Sequence, residues 1–182
     1  GNVYGLYVGN SSVIGQTVSG NTISGLACGG ANTVVGIYVS SAGGSTATST
    51  AGVNVFKNKI YDLTNNNTSG LGYTHGISVA GGTLVNIYNN FISDLKNPAG
   101  SNSTESIRGI SINSSTTTAR YGVYYNTVFL NATSTGLNFS TTGIYHMTSS
   151  TATTAALDLR NNIVVNLSAT TGTGIAAAYR RS

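Results

Sequence analysis

Apolar and polar residues alternate along this chain in short bursts, and the bursts recur. The stretch 85–95 repeats the stretch 53–63 almost residue type for residue type. Weaker copies run over 121–131 and 157–167, and a degenerate one over 16–26. Aligned on their shared asparagines, Asn21, Asn58, Asn90, Asn126 and Asn162, the copies lie 37, 32, 36 and 36 residues apart. A second signature falls between them. Gly5, Gly36, Gly76, Gly109, Gly143 and Gly174 are each followed by Leu or Ile, at spacings of 31, 40, 33, 34 and 31. Two signatures with one common period make an internal repeat, and periods of this size mean stacked or radial repeats.

Period-2 alternation reads as strand. Three residues before the asparagine stand Val18, Val55, Ile87, Val123 and Leu159. Two after it stand Ile23, Ile60, Ile92, Val128 and Val164, and five after it Leu26, Leu63, Leu95, Asn131 and Leu167. Leu6, Ile37, Ile77, Ile110, Ile144 and Ile175 form the column behind the glycines. Each unit therefore supplies three short strands, which predicts an all-β fold, a parallel β-helix of about five coils spaced ~4.8 Å apart. Parallel crossovers are right-handed with few exceptions, so the coil is expected to be right-handed. A β-propeller is the rival, with Asn89-Asn90 as a hairpin turn, but its blades need four strands.

The asparagines predict the corners. Asn tolerates the left-handed conformation of a sharp bend, and stacked amides can hydrogen-bond from coil to coil. The glycines are assigned to a second corner. The Ser/Thr/Gly/Asn-rich stretches 41–52, 65–74, 96–106, 114–119, 133–142 and 148–154 read as solvated loops. The whole of 1–182 reads as one domain, a segment of a longer stack or a protomer that stacks on others.

Composition narrows the function. Only 7% of the 182 residues are charged, against roughly 25% in ordinary globular proteins. The net charge of +4 comes from 8 basic and 4 acidic residues, scattered, which is no footprint for nucleic acid. The single cysteine, Cys28, excludes an internal disulfide framework and reads as a small buried residue. No apolar run reaches the ~18 residues of a membrane span, so no membrane insertion is expected.

At this point the phrases around Tyr125, Asn126, Thr127, Val128 and Phe129, and around Asn161, Asn162, Ile163, Val164 and Val165, resemble those of large secreted right-handed β-helix proteins of the Bacteroidota. Such proteins are exported by the type IX secretion system and displayed at, or shed from, the cell surface. The resemblance covers most of the chain from Val53 onward. It implies a secreted, extracellular setting and is silent on any ligand.

Candidate chemistry is sparse. Asp62 and Asp94 occupy equivalent places in successive units and should stack one coil apart. Such a pair can bind Ca²⁺ or share a proton, as a polysaccharide lyase or hydrolase requires. The competing reading makes each a turn residue, and no catalytic residue, metal site or cofactor is otherwise expected. His75 and His146 have no partner at ligand spacing and read as satisfied, partly buried histidines. Phe56, Tyr88 and Tyr124 should form an exposed ladder ending in Arg160. Tyr7 and Tyr38 belong to a second outward column, followed by Ser78, Ser111, Tyr145 and Ala176. Aromatic ladders can stack on sugar rings, mark an interface, or stabilise neighbouring strands. The reading is a structural or adhesive scaffold that associates with itself or with surface glycans. Carbohydrate binding or cleavage by Asp62 and Asp94 is the alternative.

Overall fold

The structure, a computed structural model, describes residues 1–9, 15–40, 52–114, 119–147 and 156–182. Most of the predicted loops 41–52, 114–119 and 148–154 lie outside the described residues. The described chain is all-β and winds as a parallel β-solenoid, with every strand paired in parallel to its counterpart in the next circuit. The first sheet stacks Val3–Val8, Thr33–Val39, Tyr73–Val79, Ile107–Ile112, Thr141–His146 and Ala176–Arg181. The second and third sheets hold five strands each and meet at the asparagine corner.

A fourth sheet was not expected. Leu26–Cys28, Leu63–Asn65 and Leu95–Lys96 form short strands of their own. A left-handed residue precedes each of them, Gly25 (φ 69°), Asp62 (φ 54°) and Asp94 (φ 49°), and swings the chain out of the third sheet. The later circuits omit this turn. There the third strand runs on through Thr127–Leu130 and Ile163–Asn166, and Leu130, not Asn131, points inward.

The predicted columns fill the interior. Val55, Ile60, Leu63, Ile77, Ile87, Ile92 and Ile110 are all fully buried. Each such side chain contributes about 1.5–3 kcal/mol before ordering entropy is subtracted. The glycines do not make a corner. Gly36, Gly76 and Gly109 sit buried inside first-sheet strands, packed against Ile60, Ile92 and Val128 of the third sheet. A Cβ on Gly76 would stand 2.5 Å from Ile92 Cγ2 and 2.6 Å from the Gly109 carbonyl oxygen.

The last unit is displaced by four residues from its expected register. Ile144 pairs with Tyr179, not Ile175, and Tyr145 pairs with Arg180, not Ala176. Gly174 is packed against the Phe139 carbonyl and bonded to Thr171, so the strand begins only after this turn. Ala178 then takes the glycine position.

The asparagine column is a ladder, as expected. Each Oδ1 accepts from the side-chain amide of the preceding asparagine, at 2.9 Å for Asn21 to Asn58, Asn58 to Asn90 and Asn90 to Asn126, and at 3.0 Å for Asn126 to Asn162. It also accepts that residue's backbone N–H, at 2.9–3.1 Å. The left-handed bend belongs instead to the residue before each asparagine: Gly20, Lys57, Asn89, Tyr125 and Asn161.

The predicted loops 96–106 and 133–142 are not simply solvated. Asn97, Glu105, Ser106, Phe139 and Ser140 are fully buried. The two segments bond to each other, for example Leu137 N–H to Ser101 Oγ at 3.1 Å. They close the prism where the fourth sheet stops.

Candidate functional site

Three groups of candidate residues lie on the outside of the prism. The first is the acidic pair. Asp62 and Asp94 do stack one circuit apart, and the turn role predicted as the alternative is seen in their left-handed backbones. Sequence reasoning missed Lys96. Its Nζ lies 3.0 Å from Asp62 and 2.9 Å from Asp94, between the two carboxylates. The two hydrogen bonds, Asp94 first, raise the lysine above its ordinary pKa. An ammonium already balances the place a Ca²⁺ ion would take. Among the described residues no three His, Cys, Asp or Glu side chains gather as a metal site.

The second group is the Phe56 ladder. Phe56 and Tyr88 stack face to face, 4.8 Å apart and 3° from parallel. Tyr124 leaves the ladder. Its ring folds over Gly122, where a Cβ would meet it at 2.5 Å, and its hydroxyl donates to Asp158 at 3.2 Å. Burial first, and then the Asp158 charge, raises the phenol pKa. Arg160 pairs with Asp158 two residues away and lies 5.7 Å from the Tyr124 ring. The guanidinium holds Asp158 below the usual carboxylate range.

The third group lies on the outer face of the first sheet. Tyr4, Tyr7 and Tyr38 cluster there with ring centres 4.8–5.6 Å apart. Burial, with the two neighbouring phenols, raises Tyr38. The Tyr7 hydroxyl donates to Ser40 at 2.9 Å. Along the same strands run two register columns. One passes Tyr38, Ser78, Ser111, Tyr145 and Arg180, the other Val35, His75, Arg108 and Thr142.

This outward face is buried: His75 is 6% exposed, Ser78 2%, and Ser111 and Thr142 0%. Arg108 anchors it. Its guanidinium lies 3.5 Å from the Tyr145 ring centre and donates to Ser111 at 3.1 Å, Asn113 at 2.8 Å and Glu105 at 3.0 Å. Arg180 grips the other Glu105 oxygen. His146 is buried as expected, and burial with the Arg181 charge lowers its pKa. His75 is not the satisfied histidine expected. Neither ring nitrogen has a hydrogen-bond partner, and burial, with Arg108 nearby, pushes its pKa down to about 3.

No protein-family model matches the chain, and no curated protein or solved structure shows significant similarity to it.

The site therefore stands on its own geometry. Tyr4, Tyr38, His75, Ser78 and Asn113 line a cleft of about 180 Å³ on the first-sheet face. Of the predicted binding residues, Tyr7 and Tyr38 meet in one cluster, while Phe56, Tyr88, Tyr124 and Arg160 occupy a separate face. His75 and Asn113 come from different circuits, so spacing along the chain does not reveal that they share this cleft. Cys28 is half-buried against the core with a free thiol. No helix among the described residues is long and apolar enough to cross a membrane.

Proposed function

We propose that the chain is a rigid, non-enzymatic scaffold segment of a secreted surface protein, structural and adhesive in role. The observation that carries this reading is the asparagine ladder. It runs in one hydrogen-bonding sense through Asn21, Asn58, Asn90, Asn126 and Asn162, and locks every circuit to the next. A prism locked this way holds its side faces at fixed spacing, which suits presentation rather than closure around a substrate.

The ladder's polarity also suits further stacking. Asn162 N–H and Asn21 Oδ1 are donor and acceptor of the same pattern, at opposite ends. The final circuit exposes Leu159, Ile175 and Tyr179 by 38%, 42% and 44%. A further coil, of the same protein or of a second copy, would cover these edges and side chains. The extracellular setting rests on the resemblance carried by the phrases around Asn126 and Asn162.

Sedimentation velocity of the 182-residue protein over a concentration series tests the scaffold reading. Association that is weakened by Leu159→Asp supports it. A monomer at every concentration, together with release of new chain ends from a polysaccharide panel, would replace it with the carbohydrate-enzyme alternative. In that case the release should vanish in Asp62→Ala or Asp94→Ala.

A further inference from the structure

The aromatic ladder on the second sheet is one ring short. Phe56 and Tyr88 stack face to face, with ring centres 4.8 Å apart and planes 3° from parallel. Tyr124 is the register partner of Tyr88 in the next circuit, so a continued ladder would place its ring on the free face of Tyr88. The ring is held elsewhere, folded over Gly122 and bonded to Asp158. The place it leaves is an open-sided cleft of about 390 Å³, lined by Asn86, Tyr88, Asn89, Tyr124 and Tyr125. That volume lies within the usual ~300–1,000 Å³ of ligand pockets.

The lining restricts the ligand. It holds no charged side chain, which suits a neutral molecule. Its polar groups can be reached. Asn86 is half-buried and donates from Nδ2 to Asn54 Oδ1 at 3.2 Å. The next position of that column is Gly122, so no side chain of the following circuit donates to Asn86 Oδ1. That oxygen has no partner among the described residues, yet it is not sealed from solvent. Asn89 and Tyr125 are exposed at the rim. The Asn89 amide and the Tyr125 hydroxyl can each donate and accept. A purely aromatic guest would fill the missing place in the ladder and leave these groups unanswered. A pyranose answers both, with its C–H face on an aromatic ring and its hydroxyls around the edge.

We propose that this cleft binds a neutral sugar ring of a glycan chain, stacked on the free face of Tyr88 with its hydroxyls on Asn86 and Asn89. The inference rests on the adhesive half of the proposed function and names its ligand class and its place. The stacking half is read separately, by sedimentation.

The test is isothermal titration calorimetry of the 182-residue protein with cellohexaose, mannohexaose and laminarihexaose. At least one should bind with a dissociation constant of order 0.1–1 mM. Tyr88→Val removes the platform and should weaken binding more than about tenfold. Asn89→Gly removes one amide and keeps the left-handed backbone, as Gly20 does in the first circuit. It should weaken binding about three- to tenfold. Gly122→Ala tests the vacancy itself. Its methyl group would meet the Tyr124 ring at 2.5 Å and displace it. A ring returned to the ladder fills the cleft, so binding should be lost with Tyr88 intact. Unchanged circular dichroism verifies the fold of each variant, and Asn89→Gly, on an exposed turn, keeps the test decisive if a strand variant unfolds. The proposal is overturned if none of the three glycans binds, if binding survives any of these substitutions at full strength, or if only the charged chain polygalacturonate binds.

Discussion

Arg180 reaches back 75 residues to the carboxylate of Glu105, which is fully buried and already held by Arg108. One acid from a predicted loop thus ties two arginines of the first-sheet face together. Glu105 also sits at φ 98°, a backbone that a non-glycine residue adopts only when its surroundings enforce it. A buried carboxylate deprived of its main partner is destabilising by about 3–5 kcal/mol. Arg108→Ala should approach that figure, because it also removes the bonds to Ser111 and Asn113. Arg180→Ala should cost about 1 kcal/mol, since its side chain is more than a quarter exposed and screened. Urea midpoints of the two variants give the order, and the reverse order would contradict this account.

The ladder makes position matter more than residue type. Asn90→Ala removes the acceptor for two donors of Asn58 and the donor to Asn126 and to the Val55 carbonyl. It should cost about 3 kcal/mol or more, with each orphaned group adding about 1–3. Asn21→Ala, at the end of the ladder, removes a side chain that only donates there and should cost about 1 kcal/mol or less. Thermal unfolding of both variants, followed by circular dichroism, measures the contrast.

Two glycines should respond oppositely to a side chain. Gly76→Ala drives a methyl group into Ile92 and the Gly109 carbonyl, a clash with backbone that no rotamer relieves. Overpacking of this kind costs about 1–3 kcal/mol or more. A Cβ at Gly25 meets nothing within 4 Å, and Gly25→Asp copies Asp62 and Asp94, which share its left-handed conformation. It should fall within about 1 kcal/mol of the parent. Equal losses at the two sites would refute the assignment of the strand glycines to close packing against the third sheet.

The interior was legible because period-2 columns survive in any strand order: Val55, Ile87 and Ile92 could be placed from their distance to the nearest asparagine. The ladder was legible for the same reason. Lateral relationships were not. Lys96 reaches Asp62 across 34 residues, and Arg180 meets Glu105 only because the last strand starts four residues late. A glycine at fixed spacing does not say whether it answers a bend or a crowded wall. Gly76 is the latter, and only the position of Ile92 shows it.

Lys96 also decides what the acidic pair can bind. Both carboxylates are about half exposed, so the lysine bridge contributes roughly 1 kcal/mol or less to stability. Its main effect is on cations. In the parent protein, millimolar Ca²⁺ should leave the melting temperature unchanged. In Lys96→Ala the two carboxylates face each other without a counter-ion, and Ca²⁺ should then raise it. Calcium stabilisation of the parent would mean that the ion displaces the lysine.

His75 provides the sharpest test of what the first-sheet face contributes to folding. The unfolded chain takes up a proton on this residue near the ordinary 6.5, the folded protein only near about 3. Between those values the unfolded state holds one more proton, so stability falls as pH drops, by about 1.4 kcal/mol per unit. His146, also lowered, acts in the same direction in the parent and in the variant. The quantity to measure is therefore the difference between the parent and His75→Val from pH 7 to 3. Valine is the residue one circuit earlier in the same column, at Val35, where it is 1% exposed and well accommodated. The variant should lose the His75 part of the slope. At neutral pH it should match or exceed the parent in stability, because two orphaned nitrogens disappear. A gain there would mark His75 as a residue kept at a cost to folding. A loss would mean that the imidazole is a structural element of the face, and that its nitrogens are satisfied in solution.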